Sequence, residues 1–302
     1  MSQEEGADEY FSSDSSFYGD DDLKEELEDR CRDFDPSEYW ANHAFQPATI
    51  AFNARAKKAK TQTPTKELYN LYEGDPNGRQ LSEPVPDFLA RLPPLTTHVS
   101  DLGPWLYIGN PYTSYRHTNE NRKGFIARGQ ELLATYDSIK SEIETSNAGK
   151  AQGTVTRKIT PHRKKLEADL LHAAKEKGCI TGKWMLFPTP KDVNSAWRLV
   201  ATATANDELG HAAKVATNTD ESPEKARLIC VYTDNVEDKA DVKRVLLKLV
   251  DLGLCSRDVG AKGERAIYYK MDAYTYLDIM GGNEWGLRAS MYSSRDILAE
   301  GK

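Results

Sequence analysis

The chain has 302 residues, 39% of them hydrophobic, and a net charge of −7. That length permits one large domain or two small ones with a sizeable core. Residues 1–30 hold twelve acids against Lys24 and Arg30, a net of minus ten, which leaves plus three on residues 31–302, so the acidity does not exclude a polyanionic partner for the body.

No apolar run approaches the ~20 residues needed to cross a bilayer, so no membrane partner is expected. Cys31, Cys179, Cys230 and Cys255 stand at no metal-ligand spacing and read as free thiols of a reducing compartment. An acidic amino terminus is the opposite of a secretory or mitochondrial leader, and cytosol or nucleus is the expected location.

In chain order, residues 1–30 combine acids and serines with little aliphatic content and are expected to be a disordered acidic tail. Ser12, Ser13, Ser15 and Ser16 lie among aspartates, a setting for acid-directed phosphorylation. Residues 31–99 read as a docking segment followed by a proline-rich connector. The aromatics between Phe34 and Phe52 are core candidates, Arg55, Lys57, Lys58 and Lys60 form a basic run, and six prolines between Thr61 and Val99 argue for extended chain. Leu102–Ile108 is a predicted strand with Trp105 and Tyr107 on one face.

Gly124–Glu144 repeats apolar residues at helical spacing, and Asn147–Gly153 reads as a flexible break. Thr160-Pro161 looks like an N-cap followed by proline at the first helical position, which predicts a helix running to Lys177. Arg157, Lys158, Arg163, Lys164 and Lys165 would then crowd the positive end of its dipole, an arrangement an anion would relieve.

From Gly182 the signals are denser. Gly182–Phe187 is a strand stopped by Pro188 and Pro190, and Asp192 is the candidate cap of a helix whose stripe is Val193, Ala196, Trp197, Val200 and Ala201. His211–Thr217 and Arg227–Thr233 are short strands expected to pair antiparallel. Val242, Val245, Leu246, Leu249 and Val250 form the stripe of a helix closed by Gly253, and Glu264–Met271 is a further strand. Trp184 and Trp197 belong to apolar patterns and are assigned to the core. Trp285–Tyr292 is read as a last strand.

This order, β-α-β-β-α-β, fits a ferredoxin-like sandwich. The extra strand signals at Trp105 and Trp285 favour a larger α+β domain over residues 100–302, a curved, largely antiparallel sheet backed by helices.

Gly182-Lys183-Trp184-Met185-Leu186, the helix with Trp197, Ile229-Cys230-Val231-Tyr232-Thr233 and the helix ending Leu252-Gly253-Leu254 resemble the second half of eukaryotic translation initiation factor 4E, the messenger-cap-binding family. Trp105-Leu106-Tyr107-Ile108-Gly109-Asn110-Pro111 and Trp285–Ser294 extend a closer resemblance, to the uncharacterised basophilic-leukaemia-expressed protein family, which shares that fold. The resemblance implies that Tyr232 stands where the cap-binding factor has a stacking tryptophan, and that Lys225 and Arg227 lie near its phosphate-binding positions. Glu176-Lys177-Gly178-Cys179 replaces the tryptophan-glutamate pair that should precede Gly182, so the cap-binding set is incomplete.

No catalytic template is present: there is no phosphate-cradling glycine loop, Gly-x-Ser-x-Gly or His-Glu-x-x-His, and His162, His172 and His211 are dispersed. No cofactor is expected. The expected function is a non-enzymatic RNA- or nucleotide-binding module with a cap-related ligand, using Trp105 and Tyr232 for stacking and Lys225 and Arg227 for phosphates. The alternative is a protein-interaction adaptor on a degenerate cap-binding fold.

Overall fold

The computed structural model describes residues 21–32, 68–114, 120–219, 224–257 and 265–299. The chain divides into two compact units, residues 1–65 and 66–302. The aromatic docking segment and the basic run at Arg55–Lys60 lie outside the described residues.

In the first unit, Asp21–Arg32 is a helix (α1) where composition predicts only tail. Asp29 pairs with Arg32 at 2.9 Å, one turn apart, a local contact that supports the helix.

The second unit is α+β. Its chain order is α2 (Val85–Arg91), α3 (Val99–Leu102), β1 (Trp105–Gly109), α4 (Arg122–Ser146), α5 (Gln152–Glu176), β2 (Gly182–Leu186), α6 (Val193–Ala205), β3 (Ala212–Ala216), β4 (Ile229–Thr233), α7 (Lys239–Asp251), β5 (Tyr268–Met271), α8 (Asp272–Tyr276), β6 (Tyr292–Ser293) and α9 (Ser294–Ala299). The sheet order is β1-β3-β4-β2-β5-β6 and every pairing is antiparallel. It follows that β2 and β3 run parallel with β4 between them, and β4 and β5 run parallel with β2 between them. The core is thus two interleaved split β-α-β units, and β1 and β6 widen the sheet at either edge.

Strand alternation assigns the two faces. Leu106, Ile108, Ala213, Val215, Ile229, Val231, Trp184, Leu186, Tyr269 and Met271 are all buried. On this side α6 packs on β1 and β3, and α7 packs on β4. Trp184 and Trp197 are both fully enclosed, as their apolar patterns predict, and Trp184 Nε1 donates to the Val242 carbonyl at 3.0 Å, tying β2 to α7. The stripes of α6 and α7 are inward, apart from a half-buried Val250. Asp238 caps α7 by accepting from Asp241 N, and Gly253 takes φ 72° after it.

Four local expectations are corrected. Asp192 precedes α6 without capping it, because its Oδ2 accepts from Thr189 Oγ1 at 2.5 Å instead. Pro161 lies inside α5, which starts at Gln152; the proline is exposed, while Val155 before it and Leu166 and Leu170 after it are buried, so packing carries the helix through the missing N–H. The basic residues 157–165 are therefore mid-helix, and the dipole argument for an anion there loses its basis. Of the last strand only Tyr292–Ser293 forms; residues 285–291 make a loop in which Trp285 Nε1 donates to Asp137 Oδ2 at 3.0 Å.

The connector is more ordered than its prolines suggest. Gly78 bridges Tyr107, Tyr107 N donates to Asn77 O at 2.9 Å and Arg79 N to Tyr107 O at 3.0 Å, so residues 77–79 line the outer edge of β1. His98 bridges Asn218 in the same way.

Candidate functional site

The other face of the sheet carries a different set of side chains. Register places Tyr107, Lys214, Cys230, Met185 and Tyr268 in one row across β1, β3, β4, β2 and β5. A second row runs Gly109, Ala212, Tyr232, Lys183 and Lys270. Trp105 stands two residues before Tyr107 on β1 and shares its face. No strand position on this face is a carboxylate.

The three lysines are treated differently. Lys183 is buried and forms an ion pair with Asp272 Oδ1, donating also to Thr275 Oγ1 at 3.0 Å; Thr181 Oγ1 occupies the other Asp272 oxygen at 2.7 Å. Asp272 and Thr275 come from α8, which follows β5 across the end of the face, and Thr181 directly precedes β2. Lys270, also buried, donates to the Ile279 carbonyl at 2.7 Å and contacts Met280 Sδ at 3.3 Å. Lys214 is half-buried and makes neither an ion pair nor a hydrogen bond to the described residues. Its ammonium lies 4.1 Å from the Trp105 ring centroid and 5.7 Å from that of Tyr232.

Burial lowers the Lys214 pKa from the ordinary lysine value, and the Lys183 ammonium and Arg122 push the same way. Lys270 is lowered chiefly by burial too. Burial pushes the Cys230 thiol up to about 11, so the centre of the first row is a neutral, weakly polar floor rather than a nucleophile.

Around Tyr232, Lys183 sits 5.7 Å from the ring and His211 lies 5.8 Å away, tilted by 36°. His211 is buried and its Nδ1 meets Asp234 Oδ1 at 2.6 Å. The backbone closes in as well: a Cβ on Gly210 would stand 1.6 Å from the Tyr232 carbonyl, so only glycine fits at the start of β3. Tyr107 stacks on Tyr72 at 4.7 Å.

The structure thus brings two of the four sequence-predicted site residues, Trp105 and Tyr232, onto one face, with Lys214 between them. Lys225 and Arg227 lie apart from that group, in the connection from β3 to β4. Lys225 is exposed; Arg227 is buried, donating from Nη1 to the Lys225 carbonyl at 2.9 Å and from Nη2 to Asn218 Oδ1.

The cations that sequence reasoning missed are Lys183, Lys214 and Lys270. Their signal was available, since each is a lone lysine inside an otherwise apolar strand, in Gly182–Leu186, Ala212–Ala216 and Tyr268–Met271. Two hollows, of about 390 and 340 Å³, are lined by other residues, one beside α2 and α6 and one beside α4 and α8.

Across residues 27–278 the sequence matches the family model described as Basophilic leukemia-expressed protein Bles03. The chain belongs to that family. The match takes in all six strands but β6, and with them every lysine and aromatic of the open face. Among the described residues, no helix is long and apolar enough to cross a membrane.

Proposed function

We propose that the open sheet face binds single-stranded RNA or a nucleotide, as a binding surface rather than a catalytic one. The observation that carries this is Lys214, an ammonium held over Trp105 and beside Tyr232, on a face whose strands present no carboxylate, with no acceptor of its own among the described residues. A desolvated cation without an anion is stabilised by one arriving on a ligand, and phosphate is the anion that comes with flat apolar groups attached. Lys183 adds charge at the other side of Tyr232, already part-neutralised by Asp272.

In this reading the fold is like that of translation initiation factor 4E, supported by an antiparallel sheet with α6 and α7 on one side and, on the other, an aromatic-basic face that α8 crosses at one end. The ligand is cap-related in its phosphates more than in its base, because the ring of Tyr232 is flanked by two of the protein's own ammonium groups. Of the two cations in the neighbouring connection, the exposed Lys225 serves the approach of the polyanion, while the buried Arg227 holds the connection through Asn218 and the Lys225 carbonyl. Cytosol or nucleus, where such ligands are found, is the proposed location.

The test is binding of a short labelled single-stranded RNA, followed by anisotropy across a salt series. Lys214→Ala is expected to weaken binding for every sequence and to reduce the log–log salt slope by about one. Parent protein that binds neither RNA nor a cap analogue at low salt removes the proposal. A protein-interaction adaptor would then stand in front, favoured by the exposed Phe187, Tyr268 and Met280.

A further inference from the structure

The aromatics of the open face fall into two groups. Trp105, Tyr232 and Tyr107 are occupied by the protein itself. Lys214 lies over the first at 4.1 Å, two ammonium groups stand 5.7 Å from the second, and the third stacks on Tyr72 at 4.7 Å. A base stacks only where a ring face is open. Tyr268 and Phe187 are different: they are 46% and 58% exposed, and neither has a ring partner among the described residues.

Their position is as informative as their exposure. Tyr268 ends the row that contains Lys214, through Cys230 and Met185, three strand spacings of ~4.8 Å away, or roughly 14 Å. Phe187 follows Met185 by two residues, with the inward Leu186 between them, so continued alternation sets it beside Tyr268 on the same face. Met280, 54% exposed, borders this end, its sulfur 3.3 Å from Lys270 Nζ. Between the two ends lie Cys230, a neutral thiol, and the Met185 thioether, and the Asp272 carboxylate, which acts on that thiol, is engaged by Lys183 and Thr181.

An exposed apolar end continuous with an unsatisfied cation marks an interaction surface whose ligand is anionic at one point and flat and apolar at another. Resting on the reading that this face binds RNA, we infer that Phe187 and Tyr268 are the base-stacking positions of a single-stranded RNA whose phosphate is held at Lys214. Trp105 and Tyr232 hold the lysine in place instead of contacting bases. Stacking of this kind is tolerant of sequence, so adenine and uracil runs are both bound.

The experiment measures affinity and salt slope for short 5′-phosphorylated oligoadenylate and oligouridylate on full-length parent, Tyr268→Ala, Phe187→Ala, Tyr268→Phe and Lys214→Ala, with polyglutamate as a second probe. Tyr268→Ala and Phe187→Ala are each expected to lose about fivefold or more in affinity, the lower end for a removed base stack, with melting temperature and salt slope unchanged. Tyr268→Phe, which keeps the ring, should bind as the parent does, and Lys214→Ala should lower the slope. RNA bound equally well by the parent and both alanine variants overturns the inference and leaves the RNA reading standing. No RNA binding by the parent, together with Lys214-dependent binding of polyglutamate, overturns both and identifies an acidic peptide as the partner class.

Discussion

The two faces of one sheet make opposite demands on the same strands. On the helix-covered face every strand position is apolar or internally paired: Trp184 donates to Val242, the Tyr269 and Thr233 hydroxyls meet at 2.5 Å, and the aliphatic positions are closed to solvent. On the open face lysines stand at the corresponding alternate positions, and their needs are met unevenly, fully at Lys183 and not at Lys214. The difference teaches where to look for function. A face whose polar groups are all satisfied stabilises the fold, whereas an unsatisfied cation in a part-desolvated place raises the free energy of the unliganded protein and lowers that of a complex.

The comparison predicts a graded series of effects. Emptying the closed face is the most damaging: Trp184→Ala should cost about 3–5 kcal/mol, and Leu246→Ala about 2–5 kcal/mol, measured by denaturant unfolding. Wild-type midpoints for either would mean that the faces are assigned backwards. Asp272→Ala should approach the same size, about 3–5 kcal/mol, because it strands a buried Lys183; Lys183→Met in the same background should recover much of the loss. Failure of that rescue would show that Asp272 acts through something other than the lysine.

Lys214→Met should move stability the other way. The pKa of Lys214 is depressed in the folded chain, so its charge opposes folding fully below the folded pKa, and the penalty fades as pH rises through that value toward the 10.5 of an ordinary lysine. The variant should therefore melt higher than the parent at neutral pH, with the gap closing on the alkaline side. A variant that melts lower at every pH would assign the ammonium a stabilising role and break the contrast between the faces. Smallest is Trp197→Phe. Its Nε1 is buried with no hydrogen-bond partner among the described residues, so removing the donor offsets part of the volume lost, and a change under about 1.5 kcal/mol is expected in the same unfolding assay.

How much of this was legible beforehand depends on the range of the signal. The helices α6 and α7 read almost to the residue, because Val193 to Ala201 and Val242 to Val250 carry a 3.6-residue period that needs no partner to be seen. Pro161 misled because proline at a helix start and proline carried inside a packed helix look alike until Val155 and Leu166 are known to be buried on either side. Trp285 misled because an aromatic-rich run reads as strand, while its indole is held by Asp137, 148 residues away. In the site, Trp105 was found as an aromatic in a predicted strand, and Tyr232 by its match to a stacking tryptophan of the resembled family. Lys214 lies as one polar residue in a short apolar strand, and Lys225 and Arg227 were selected because the resemblance to the cap-binding factor sets them near its phosphate-binding positions.

The amino-acid order by itself determined the succession β-α-β-β-α-β and the inward stripes of α6 and α7, since these follow from local periodicity. Only the tertiary structure decided that β4 lies between β3 and β2 and that β5 lies beyond β2. That choice brings Lys214, Tyr232, Lys183 and Lys270, which are far apart in the chain, onto adjacent rows. Strand neighbours are chosen by how α6 and α7 bury their stripes against the sheet, a non-local free energy that no window of sequence contains. The same packing put Asp272 beside Lys183 and set Lys214 over Trp105 and near Tyr232, with no hydrogen-bond acceptor among the described residues.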